Sequence, residues 1–207
     1  MSEDIQIRRL QAVAAAGLQG PVAHGHIRLA RPVELARGRV HEILGESADV
    51  FALAAIAAAS GPVLWAGLRR DAGSLAPTGL QRFMDPARLI LVFGGDRGEL
   101  LWAAETALRA RSAPCVILEL KEGPGLRESR RLQIAAEESG AIGLVLIQGR
   151  ARTSAAETRW QCDAVTGGAW DWVCTKSKRG RPGAWRVSWR EKTDAPDLVA
   201  LAAAASA

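Results

Sequence analysis

The stretch GRVHEILGESADVFALAAIAAA, residues 38–59, decides the fold of this chain. Its first part, Arg39–Leu44, is rich in aliphatic residues and predicts a β-strand. Asp49–Ala59 predicts an Ala-rich buried helix that ends before Ser60-Gly61-Pro62. In an α/β sheet, the loop from such a strand into the next helix is where backbone N–H groups can hold the phosphates of a nucleotide. The stretch therefore indicates an α/β fold. It also raises the question whether its loop binds a nucleotide.

The alternation of strand and helix continues downstream. Further strands are predicted at Val63–Ala66, Leu89–Phe93, Cys115–Leu120 and Ile142–Ile147, with helices after Asp96 and over Leu126–Ser139. Strands that are apolar on both faces and alternate with helices are typical of a parallel sheet covered on both sides. Beyond Gly149, alternating aromatic and polar residues predict antiparallel edge strands at Arg159–Cys162, Trp170–Thr175 and Trp185–Trp189. The predicted fold class is α/β, a mainly parallel sheet flanked by helices with antiparallel C-terminal edge strands.

Three regions are predicted along the chain. Residues 1–37 form an N-terminal helix, Asp4–Ala16, with a linker; residues 38–192 form the core domain; and residues 193–207 form a flexible C-terminal tail.

The positive charge is concentrated near the C-terminus. The 207 residues include 27 Lys and Arg against 22 Asp and Glu, a net charge of +5, and ten of the cations lie between Arg150 and Lys192 with four acids. We expect a basic hairpin tip carrying Lys176, Lys178, Arg179 and Arg181. Three interpretations stay open for it: contact with DNA phosphates, contact with an acidic protein surface, or a solvated loop.

Several classes of protein and site are excluded by the sequence. Three Cys without a close pair favour a reducing compartment, and neither a signal peptide nor a membrane-length apolar run is found, so a soluble cytoplasmic protein without membrane contact is expected. His24, His26 and His41 lack metal-ligand spacing, and Ser60, Ser129 and Ser139 lack an acid–base partner. We therefore expect no enzyme site, metal or cofactor.

The loop after Arg39–Leu44 fails as a phosphate-binding loop. On the template G-x-x-x-x-G-K-[ST], Gly45 matches, but Val50 replaces the second glycine, Phe51 the lysine and Ala52 the hydroxyl that binds Mg²⁺. Without the lysine charge the phosphates are not neutralised, Glu46 and Asp49 add negative charge, and the Phe51 ring would fill the space. Cys115–Leu120 also ends in Glu119 rather than the expected Asp. We predict neither tight ATP binding nor ATP hydrolysis.

The order of the motifs resembles a known family. The segments are GRVHEILG (38–45), GPVLW (61–65), DPARL (85–89), SRRLQIAAE (129–137), TRW (158–160) and RGRPGAW (179–185). Together they resemble the ImuA family, the RecA-like inducible mutagenesis proteins of bacteria, over about residues 38–189. Gln148 stands where RecA proteins keep a glutamine that senses the γ-phosphate.

The resemblance implies a RecA-like core and a function in the SOS response to DNA damage. Family members work in error-prone translesion synthesis beside ImuB, an inactive Y-family polymerase relative, and indirectly with an error-prone replicative-type polymerase. We expect a non-hydrolysing adaptor that binds an ImuB-like partner, with a RecA filament and DNA as further candidate contacts. The alternative is a cell-division inhibitor similar to SulA, which binds the tubulin-like division protein. An ATPase with an unusual loop is a third reading, disfavoured by Val50, Phe51 and Ala52.

Overall fold

The computed structural model describes residues 25–30, 32–68, 77–180, 182–192 and 195–203. Two sheets are present in these ranges: a two-stranded hairpin and a nine-stranded sheet. The hairpin consists of β1 (His26–Ala30) and β2 (Val33–Ala36), paired antiparallel. This part of the expected linker is therefore ordered β-structure, while the predicted helix Asp4–Ala16 lies outside the described residues.

The parallel part of the large sheet is built from strands that sequence patterning predicts. In chain order the elements are β3 (Arg39–Leu44), α1 (Ala48–Ala58), β4 (Val63–Leu68), α2 (Pro77–Leu80), a short 3₁₀ turn (Pro86–Arg88), β5 (Leu89–Gly94), α3 (Arg97–Arg109), β6 (Cys115–Leu120), α4 (Leu126–Ser139) and β7 (Ile142–Ile147). The expected helix signals hold, because Asp96 accepts a hydrogen bond from the N–H of Glu99 at 2.9 Å and Gly140 ends α4 with φ of 78°.

The C-terminal strands extend this sheet on one side. They are β8 (Thr158–Val165), β9 (Ala169–Ser177), β10 (Gly183–Lys192) and β11 (Ala195–Ala203). The strand order is β11-β10-β9-β8-β3-β7-β6-β4-β5, in which β8 is parallel to β3 and antiparallel to β9. The predicted fold class, with its antiparallel C-terminal strands, is therefore confirmed.

The expected flexible tail differs from the structure. Ala195–Ala203 pairs antiparallel with β10, with Lys192 opposite Ala195 and Trp185 opposite Ala203. The physical reason is an otherwise open edge of β10, whose backbone N–H and C=O groups accept a further strand.

Two apolar cores cover the two faces of the sheet. On one face α1 lies between the sheet and the β1–β2 hairpin, which explains why the helix is apolar on nearly all sides. On the other face α3 and α4 pack together over Val40, Val116 and Val145. No helix in the described ranges combines the length and apolar character needed to cross a membrane.

Candidate functional site

The loop between β3 and α1 is closed by the chain itself. Gly45 has φ of 99°, and a Cβ at this position would collide with the carbonyl oxygen of Cys162 and lie 2.6 Å from Oδ1 of Asp163. Strand β8 thus runs directly against the loop. Glycine is required here for the backbone conformation and for this close approach.

The backbone N–H groups of the loop already have acceptors. Ser47 donates to the carbonyl oxygen of Cys162 at 3.1 Å, and Glu46 donates to Oδ1 of Asp163 at 3.4 Å. In a phosphate-binding loop such N–H groups point at the phosphate oxygens. Here a carboxylate and a carbonyl of β8 stand in that position, and the exposed carboxylates of Glu46 and Asp49 add further negative charge.

Phe51 lies in the core rather than toward solvent. Its side chain is 0% exposed, with its ring centroid 5.2 Å from that of Trp160 and 4.7 Å from that of Trp172. Ala52 is also fully buried, whereas Val50 is half-buried. The residue in the lysine position of the template therefore anchors α1 to the tryptophan-rich strands β8 and β9.

Two further positions, Glu119 and Gln148, were compared with those of a nucleotide site. Oε1 of Glu119 accepts a hydrogen bond from Nε1 of Trp65 at 2.9 Å, so this carboxylate is tied to the neighbouring strand. Gln148 is exposed at the end of β7. Among the described residues, no group of three or more His, Cys, Asp and Glu side chains is placed to hold a metal ion.

His41 and Cys115 are buried, as expected for structural groups. His41 is fully buried, with Nδ1 2.7 Å from Oγ1 of Thr158 and Nε2 3.0 Å from the carbonyl oxygen of Ala36. Burial lowers the pKa of His41 to about 4, so the ring is neutral near pH 7. Burial raises the pKa of Cys115 to about 12, which leaves an unreactive thiol.

The basic hairpin between β9 and β10 has three described members. The Lys176 Nζ donates to the carbonyl oxygen of Ser154 at 2.9 Å, and the Lys178 Nζ donates to that of Ala155 at 2.6 Å. Arg179 is 68% exposed, with Nε 3.8 Å from Oε1 of Glu157. Arg181 lies outside the described residues. Both lysines thus hold the loop that precedes β8, and Arg179 is the best-placed described member for an outside partner.

A buried ion pair next to the hairpin was not anticipated from the sequence. Glu42, fully buried in the middle of β3, accepts a hydrogen bond through Oε2 from Nε of Arg159 at 2.8 Å, and Nη2 of Arg159 lies 2.6 Å from the same oxygen. Burial lowers the pKa of Lys176, and the carboxylate of Glu42 opposes that shift. The available signal was a glutamate inside the otherwise buried strand RVHEIL, since such a residue needs a cation from another element.

Comparison with solved structures shows the fold of the chain. The crystal structure of the RadB recombinase superposes on this chain with a TM-score of 0.59, covering 80% of this chain and 92% of that chain at 12% sequence identity. With the strand order above, the fold is RecA-like. No protein-family model matches the sequence.

Two curated relatives identify the family. Both are named Protein ImuA, from Caulobacter vibrioides strains NA1000 / CB15N and ATCC 19089 / CIP 103742 / CB 15, and each is 31% identical over 158 residues, 66% of this chain. This chain belongs to the ImuA family, and the resemblance drawn from its motifs is confirmed. The match spans 64% of the length of these relatives.

Proposed function

We propose that this chain is a non-hydrolysing RecA-like accessory protein of SOS-induced, error-prone translesion DNA synthesis, acting in the cytoplasm. Its relatedness to Protein ImuA supports the assignment to damage-induced mutagenesis. The closed β3–α1 loop is the observation that carries the adaptor role, because Asp163 and Cys162 of β8 hold the N–H groups that a nucleotide would need. A RecA-like domain without nucleotide turnover can still serve as a binding module.

An ImuB-like inactive polymerase relative is the proposed direct partner, with an error-prone replicative-type polymerase reached through it. A RecA filament and DNA are further proposed contacts. The exposed guanidinium of Arg179 and the exposed side chain of Lys178, which also donates to the carbonyl oxygen of Ala155, suit an anionic surface on any of these partners.

The test is co-expression with an ImuB-like protein, followed by affinity purification at moderate salt. We expect the two proteins to co-purify, and deletion of the gene for this chain to lower damage-induced mutation. Reversing Lys178 and Arg179 to Glu should weaken capture of the partner that uses the hairpin. Lys121→Glu is the matched control, since Lys121 is also exposed but follows β6 at another part of the surface. Absence of co-purification together with unchanged mutation frequency would refute the adaptor role.

A further inference from the structure

Helices α3 and α4 form a groove that the proposed function does not use. The groove has a volume of about 250 Å³ and is lined on α3 by Gly98, Leu101, Trp102 and Glu105. These four positions follow i, i+3, i+4, i+7 spacing, so they share one face of the helix. On α4 the lining residues are Glu128, Arg131 and Leu132. The groove therefore lies between the N-terminal halves of the two helices.

An exposed tryptophan marks this groove. Trp102 is 50% exposed, although most of the other tryptophans described pack against the core. Across the described ranges four large apolar side chains are classed as exposed, and three of them, Trp102, Leu126 and Ile134, lie on α3 or α4. Half-exposed tryptophans with neighbouring aliphatic groups are typical anchors of protein interfaces.

Within the described ranges, the charged residues of α3 and α4 include two unpaired cations outside the groove lining. The carboxylates that line the groove have cationic partners: Glu128 pairs with Arg97 at 2.7 Å and Glu105 with Arg131 at 2.5 Å. At its far end, Arg109 lies 3.2 Å from Glu105 and 3.8 Å from Glu138. By contrast, the exposed Arg127 and Arg130 form no ion pair with any described residue.

These two arginines share a face with an apolar residue. Arg127, Arg130 and Ile134 follow i, i+3, i+7 spacing on the outward face of α4, next to Arg131 at the groove edge. A partner that fits must combine apolar side chains for Trp102 and Ile134 with negative charge for Arg127 and Arg130. An amphipathic helix with one apolar stripe and an acidic flank has both properties at matching spacing.

We propose that the α3–α4 groove docks an acidic amphipathic helix of a partner protein, with Trp102 as its anchor. This proposal rests on the adaptor role proposed above only for the identity of the protein that supplies the helix. Binding of an isolated helix to the purified chain is independent of translesion synthesis, so failure of one does not imply failure of the other.

The test uses a fluorescein-labelled helical peptide with Leu at i, i+3, i+4 and i+7 and Glu on one flank, measured by anisotropy. A matched peptide carries Lys in place of each Glu. We expect the acidic peptide to bind about tenfold more tightly than the basic one, with a difference that shrinks as salt is raised. Trp102→Ala should weaken binding of the acidic peptide about tenfold. The double variant Arg127→Glu with Arg130→Glu should weaken it by a similar factor.

Arg150→Glu is the control variant, since Arg150 is exposed in the loop after β7 and should leave binding unchanged. Circular dichroism and melting temperature should match wild type for every variant, because Trp102, Arg127 and Arg130 are surface residues. Equal binding of acidic and basic peptides, or no effect of Trp102→Ala, would overturn the proposal. Dimerisation that depends on Trp102 would also overturn it, because it would assign the groove to a second copy of the chain. Binding of oligo-dT that is lost on replacing Arg127 and Arg130 would overturn it as well, because it would assign the surface to nucleic acid.

Discussion

Replacing Phe51 by Ala tests whether this side chain is a core anchor rather than a lining of an open nucleotide space. The ring is 0% exposed and lies between Trp160 and Trp172, with centroid distances of 5.2 Å and 4.7 Å. Deletion of a fully buried phenyl group removes its transfer free energy and leaves a cavity, and typically costs about 3–5 kcal/mol. The aromatic contacts place Phe51→Ala near the middle of that range, at about 4 kcal/mol.

The assay is urea unfolding at pH 7, followed by tryptophan fluorescence and far-UV circular dichroism. Phe83→Ala is the matched control: Phe83 is only half-buried and contacts Trp189 edge-on at 4.4 Å, so about 1–2 kcal/mol is expected. If Phe51→Ala lowers the free energy of unfolding by no more than Phe83→Ala does, or creates ATP binding without loss of stability, the assignment of Phe51 to the core is refuted.

Three further substitutions or conditions give defined outcomes. Because the pKa of His41 is about 4 in the folded protein against an ordinary value of 6.5, its contribution to stability is complete above pH 6.5 and is lost as the pH falls toward about 4. Urea titrations should show that the free energy of unfolding falls between pH 6.5 and pH 4 by about 3 kcal/mol more for wild type than for His41→Gln. An equal fall for the two proteins would contradict this. Arg159→Ala leaves the buried Glu42 without its partner and should cost about 3 kcal/mol, whereas Arg28→Ala, which breaks an exposed pair with Glu34, should cost under about 1 kcal/mol by the same urea assay. Gly45→Ala should destabilise the protein by about 2 kcal/mol or more, since φ is 99° and strand β8 blocks the Cβ; a neutral effect would show that the loop moves freely.

The parallel core could be predicted because its signals are local. Strands such as Ile142–Ile147 are apolar on both faces, and helix ends carry Asp96 and Gly140 as caps. The β1–β2 hairpin also had a local signal, since Ile27 and Leu29 alternate with exposed residues. The strand Ala195–Ala203 had little local signal in the sequence, because its many alanines have low strand propensity. Only the open edge of β10 selects its conformation.

The candidate site could be predicted only in part. The loss of the lysine and hydroxyl positions is visible in the sequence at Phe51 and Ala52. The approach of Asp163 to Glu46 is not, because the two residues are 117 positions apart and meet only through the pairing of β8 with β3. Likewise, a count of charges cannot show that Lys176 and Lys178 donate to backbone carbonyls of their own chain.

The most direct test of the central claim, that the β3–α1 loop is closed to nucleotide, is calorimetric titration of the full chain with ATP and Mg²⁺. We predict no saturable heat and no rise in melting temperature with ATP present. Saturable binding with a Kd of about 10 μM, and the matching gain in stability that ligand linkage requires, would contradict the account.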